Sequence, residues 1–138
     1  MGRVMDATPL VAGEAEAEVL ASSEPLSFWG GYDPGSGQII DRRHPLNGEN
    51  SAGKILALPF TRGSSTTTAV LLEAIREGTA PAAILTTGVD TFFALAAIVA
   101  EELFEQTLPV YSLDPEDFKR LQSGMNARIE SDGRISII

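Results

Sequence analysis

The sequence predicts an α/β domain of three layers, β/β/α: a sheet with helices packed on it and an additional β layer. Short apolar runs at residues 54–60, 82–85 and 109–113 have the length and composition of buried strands. Helical segments at 69–77 and 91–104 alternate with them, so the middle of the chain is built of strand-loop-helix units, while both ends are rich in strand signals. The 138 residues suffice for one hydrophobic core and not comfortably for two, so a single domain over 1–138 is expected. With 43% apolar and 21% charged residues, the chain has the balance of a folded globular protein.

Taken in order, residues 10–22 alternate small apolar and acidic side chains, the two-residue period of a strand with one wet face. Residues 24–37 carry two prolines and four glycines and are expected to form a shaped loop rather than a regular element. Ile39 and Ile40 precede a second turn-rich stretch at 41–48. The apolar run 54–60 reads as a strand that ends at Pro59. Residues 61–68 lead into the helix 69–77, whose apolar face is Val70, Leu71, Ala74 and Ile75, with Ser or Thr capping its start and Gly78 ending it. After the strand 82–85, the helix 91–104 is so apolar that burial on most sides is expected. The strand 109–113 is followed by Asp114, Pro115, Glu116 and Asp117, a cap, a first-turn proline and acids suited to a helix start. A hairpin of 126–130 and 134–138 turns at Asp132 and Gly133.

A formal charge of −9 makes the average surface repel phosphate backbones and anionic lipid, which argues against nucleic-acid and membrane partners. An anionic substrate would have to be held locally, by a helix N-terminus or an arginine. The sequence contains no cysteine and one histidine, so neither a disulfide nor thiolate ligands can come from this chain, and no metal site of its own is expected. No basic segment leads into an apolar run at the N-terminus and no stretch approaches the ~20 apolar residues of a membrane span; the expected compartment is the cytoplasm.

The segment that invites chemistry is Gly63, Ser64 and Ser65, between a buried strand and a helix start. Glycine there permits a tight turn and close approach to a ligand, and the N–H groups of the helix start favour an anion such as a carboxylate. A serine alkoxide stabilised in such a dry, positively biased place can accept a carbon-bound proton. Equally, the run of hydroxyl residues from Ser64 to Thr68 can simply cap the helix and solvate its first turn. Trp29 reads as an exposed aromatic contact, a lid or a core anchor. His44 reads as structural rather than as an acid-base group. Arg42, Arg43 and Arg62 could meet an anion or pair with surface acids, Arg62 being the one beside the glycine-serine turn. Asp33, Asp41 and Asp90 sit where turns need them.

Five separated motifs then line up with one family. Ser27 through Pro34, Asp41 with His44 through Gly48, Ala52 through Lys54, Arg62 through Ser65, and Ala80 through Ile84 together resemble the small subunit of the aconitase X family, in order from about residue 10 to the hairpin. The resemblance implies a single swivelling β/β/α domain, like the C-terminal domain of aconitase, that closes over a large subunit carrying iron or an iron-sulfur cluster. It implies a heterodimeric hydro-lyase acting on a small carboxylate, with Ser64 as proton acceptor, or Ser65 in its place. Gly63, Ser65 and Thr66 would contact the substrate, joined by Arg62. Where aconitases carry an arginine after the two serines, this chain has Thr66, so a carboxylate-binding arginine is not implied there. Two activities belong to the family: dehydration of cis-3-hydroxy-L-proline, to which residues 70–75 and 98–103 bear the greater likeness, and dehydration of (R)-5-phosphomevalonate. A swivelling module that binds a partner without chemistry of its own stays open beside them.

Overall fold

A computed structural model describes residues 4–60, 66–88 and 90–138. Eight strands form one sheet: β1 (Val4–Asp6), β2 (Thr8–Val11), β3 (Ala15–Ala21), β4 (Ile55–Ala57), β5 (Ala83–Thr87), β6 (Val110–Leu113), β7 (Asn126–Ile129) and β8 (Arg134–Ile137). Among the described residues three helices join them: α1 (Thr66–Glu77), α2 (Thr91–Phe104) and the short α3 (Pro115–Phe118). The spatial order is β1-β8-β7-β3-β4-β5-β6-β2. From β3 to β6 the strands are parallel, whereas the pairs on either side are antiparallel.

The two terminal strands of that order, β1 and β2, are separated in sequence by Ala7 alone. A sheet whose opposite edges are one residue apart has to curl round on itself, and the result is barrel-like, with the antiparallel half folded across one face of the parallel half. Side-chain alternation confirms the layers. Leu20, Leu56, Ile84 and Val110 face α1 and α2, together with Leu71, Ala74, Phe93 and Ala97. Val19, Ile55, Ala57, Ala83, Leu85 and Tyr111 point the other way, onto Met5, Ala127, Ile129 and Ile135 of the antiparallel half. The predicted β/β/α arrangement is therefore the observed one. β3 belongs to both halves: Glu16 and Glu18 on its first half are exposed, while Val19 and Leu20 are buried on opposite faces.

Several expectations need correction. The strand expected over 10–22 is two strands on different parts of the sheet, broken at 12–14, where the Tyr111 hydroxyl accepts from the Gly13 N–H (3.0 Å) and donates to its carbonyl (2.9 Å). An alternating pattern is blind to such a crossing because both segments keep the same period. β1 was not anticipated. The helix α1 begins at Thr66 rather than 69, so its threonines form the first turn. Most tellingly, α2 is not enclosed: Phe93, Ala96, Ala97 and Ala100 are buried, but Leu95, Ile98 and Leu103 face outward. Alanines let the helix lie close to its neighbours, and composition averaged over the helix cannot separate that face from the opposite one. The crossover from β3 to β4 has no helix, and its loop supplies Leu26, Phe28, Tyr32, Ile39 and Leu46 to the helical side of the core instead.

Candidate functional site

Because β4 and β5 are parallel and each is followed by a helix, their carboxyl ends and the N-termini of α1 and α2 gather at one end of the domain. That end is where ligands bind in α/β sheets. Two sets of bonds hold it together. The Pro59 carbonyl, just past β4, accepts from the hydroxyls of Thr86 and Thr87 (2.8 Å each) and from the Thr87 N–H (3.2 Å). The Thr68 hydroxyl, in the first turn of α1, donates to the Phe92 carbonyl at the start of α2 (3.2 Å). The chain is thus pinned on both sides of the glycine-serine segment, at the strand it leaves and at the helix it enters.

Arg62, Gly63, Ser64 and Ser65 lie outside the described residues, between these two anchors. Thr66 is the first residue of α1 and half-buried. No acidic side chain stands in the first turn of α1, so the positive end of its dipole is not neutralised from within that turn. The α2 start differs: the Asp90 carboxylate accepts from the N–H groups of Phe92 (3.0 Å) and Phe93 (3.2 Å). The α2 start is thus occupied by a carboxylate of its own chain, while the residues that precede α1 lie outside the described ones.

The other candidates resolve clearly. His44 is buried; its Nδ1 accepts from the Leu46 N–H (3.1 Å), which leaves the proton on Nε2 to be donated to the Glu24 carbonyl (3.1 Å). It is a structural histidine. Asp33 closes a turn by accepting from the Gly35 N–H and the Ser36 hydroxyl, and Asp41 does the same for the Arg43 N–H. Arg42 and Arg43 are exposed on the β3–β4 crossover and make no ion pair among the described residues. Phe28, not Trp29, is the core anchor; Trp29 is 72% exposed. Thr68, Thr86 and Thr87 were not anticipated as organisers of this end, although two adjacent threonines followed by glycine at the end of an apolar strand are a visible sign.

The geometry defines a β/β/α domain with two helix starts at the carboxyl ends of its parallel strands, and in sequence the glycine-serine motif immediately precedes the first of them. Comparison with known proteins narrows this. The family model described as the aconitase X swivel domain matches residues 4–137. A cis-3-hydroxy-L-proline dehydratase of Pseudomonas aeruginosa is 51% identical over 128 residues, 93% of this chain and 22% of that protein. A phosphomevalonate dehydratase small subunit of Methanothermobacter thermautotrophicus is 35% identical over 129 residues, 93% of this chain and 94% of that one. The crystal structure of Thermococcus kodakaraensis aconitase X in its holo-form superposes with a TM-score of 0.87 at 32% identity, covering 99% of this chain and 98% of that one. The chain belongs to the aconitase X swivel-domain family. It spans about a fifth of the length of the Pseudomonas dehydratase and nearly all of the archaeal small subunit.

No helix among the described residues is long and apolar enough to cross a membrane. Nor do three or more His, Asp or Glu side chains among them form a group that could hold a metal, and the sequence has no cysteine. The described residues of this chain do not suit an iron or iron-sulfur site.

Proposed function

We propose that this chain, one swivelling domain over residues 1–138, is the small subunit of a cytoplasmic hydro-lyase that dehydrates cis-3-hydroxy-L-proline to Δ1-pyrroline-2-carboxylate. Its own part in the reaction is proton removal. Ser64 takes the proton from the carbon next to the carboxylate, the C–H electron pair becomes a ring double bond, and hydroxide leaves the neighbouring carbon; tautomerisation then gives the product. Gly63, Ser65, Thr66 and the start of α1 would hold the carboxylate, with Arg62 adding positive charge. The large subunit would supply the remainder of the pocket and the family's iron.

The observation that carries the choice of substrate is the 51% identity to a cis-3-hydroxy-L-proline dehydratase, against 35% to a phosphomevalonate dehydratase small subunit. The second reading, a small subunit of (R)-5-phosphomevalonate dehydratase, rests on the 35% identity to such a subunit over 129 residues. The two are separated by assaying the chain, co-purified anaerobically with its large subunit, on both substrates. Turnover of the hydroxyproline supports the first reading; turnover of phosphomevalonate alone replaces it with the second. No turnover of either, with a complex formed, leaves a binding module.

A further inference from the structure

The segment from Ser27 to Tyr32 is a turn built with unusual care around one outward side chain. Gly30 has φ +77°, a conformation that L side chains rarely adopt. At Gly31 any Cβ would collide with the Ser27 carbonyl oxygen. The N–H groups of Gly31 (3.3 Å) and Tyr32 (3.2 Å) both donate to the Phe28 carbonyl. Phe28 is fully buried, stacked on Tyr32 with ring centroids 5.1 Å apart and edge-on to Phe93 at 5.6 Å. Tyr32 is fixed in turn, its hydroxyl donating to the Thr79 carbonyl and accepting from Ser51. Every neighbour of Trp29 is therefore held, and Trp29 itself, the single tryptophan of the chain, stays 72% exposed.

A rigid aromatic side chain presented to solvent is the kind of residue that dominates binding at interfaces, since little freedom is lost when it is covered. Its position says what covers it. Phe93, against which Phe28 packs, is in the first turn of α2, and Thr68 of α1 bonds to the carbonyl of the adjacent Phe92. Trp29 thus stands beside the end of the domain where α1 and α2 begin, the end that the proposed function turns toward the large subunit. We infer that Trp29 is a docking anchor that seats in an apolar recess of the aconitase X large subunit when the two close, which rests on the reading of this chain as that enzyme's swivel domain. Phe60, half exposed just past β4 at the same end, extends the contact surface.

The test uses the chain with the large subunit and reads Trp29 by the difference between wild-type and Trp29→Phe emission spectra. On complex formation Trp29 emission shifts to the blue and its quenching by acrylamide falls several-fold, and Trp29→Ala weakens the complex by about tenfold or more. The exposed position leaves folding of the variants intact, which circular dichroism checks. A complex in which Trp29 stays as quenchable as in the free chain, with unchanged affinity for Trp29→Ala, overturns the inference. So does a shift that appears in the chain alone as its concentration rises, which marks self-association, or one that appears only with substrate, which marks a lid. A chain that forms no complex overturns it as well. Turnover is scored separately: a complex inactive on both substrates sinks the functional reading even where Trp29 is buried.

Discussion

Tyr32 shows how a single residue fixes the loop that carries Trp29. Its ring is 2% exposed and its hydroxyl lies between Thr79 and Ser51. Burial pushes the phenol up to about 12 from its ordinary 10.0, partly opposed by the Ser51 hydrogen bond and helped by the nearby Asp33 charge. In the unfolded chain the group loses its proton near pH 10, whereas the native protein keeps it to about 12. Stability tied to Tyr32 is complete below pH 10 and is lost as pH rises through 12, by roughly 2–3 kcal/mol in all. Urea denaturation of wild type should show this loss between pH 10 and 12, and Tyr32→Phe should flatten it. At neutral pH the same variant strands the Thr79 carbonyl, while the Ser51 hydroxyl keeps the Gly37 carbonyl at 2.9 Å, costing about 1–3 kcal/mol. Asp90 makes a comparable local contribution: Asp90→Ala, which removes the acceptor for two N–H groups of α2, should lower stability by about 1 kcal/mol. None of this was visible beforehand for Tyr32, whose partners lie 19 and 47 positions along the chain; Asp90 was legible as a turn residue because that signal is local, though its role as the cap of α2 was not read.

Among the elements, α2 marks the boundary between what a pattern reveals and what it hides. Its limits, residues 91–104, agree with the sequence reading, and so do the ends of α1 at Gly78 and the cap, proline and acids that start α3. Local chemistry sets such boundaries: a capping carboxylate, a positive-φ glycine, a proline without an N–H. Which side of α2 is buried depends on what packs against it, and here alanines face inward while Leu95, Ile98 and Leu103 face out. Leu95→Gln should consequently change stability by no more than about 0.5 kcal/mol, whereas Phe93→Ala, fully buried against Phe28, should cost about 3–5 kcal/mol, both read from the midpoint of denaturation. The end that carries the candidate site was only half legible. A glycine-serine motif pointed to the segment, but the ties that anchor it, Thr86 and Thr87 to Pro59 and Thr68 to Phe92, join positions 24 to 28 residues apart and follow from parallel pairing that no single window displays.

For the whole molecule, the decisive feature is that the sheet curls until its edge strands are joined through Ala7. The hairpin turn clasps that link: Ala7 donates its N–H to the Gly133 carbonyl at 2.8 Å, and a Cβ at Gly133, whose φ is +100°, would strike the Ala7 carbonyl. Gly133→Ala should therefore destabilise the domain by on the order of 2 kcal/mol in thermal or urea unfolding, far more than an alanine in an ordinary turn. The three-layer class was legible from the sequence because the alternation of elements determines it, and the family was legible from five motifs. The strand order was not, since it brings residue 4 beside residue 136 through contacts of the longest range in the chain. The proposed role of the closed domain is to bring Ser64, just before α1, to the substrate held with the large subunit. The most direct test is dehydration of cis-3-hydroxy-L-proline by the anaerobically co-purified complex, wild type against Ser64→Ala. The account predicts that turnover falls by a factor of about 100 to 10,000 while the complex stays intact. Wild-type activity retained in Ser64→Ala would contradict it and move the base elsewhere.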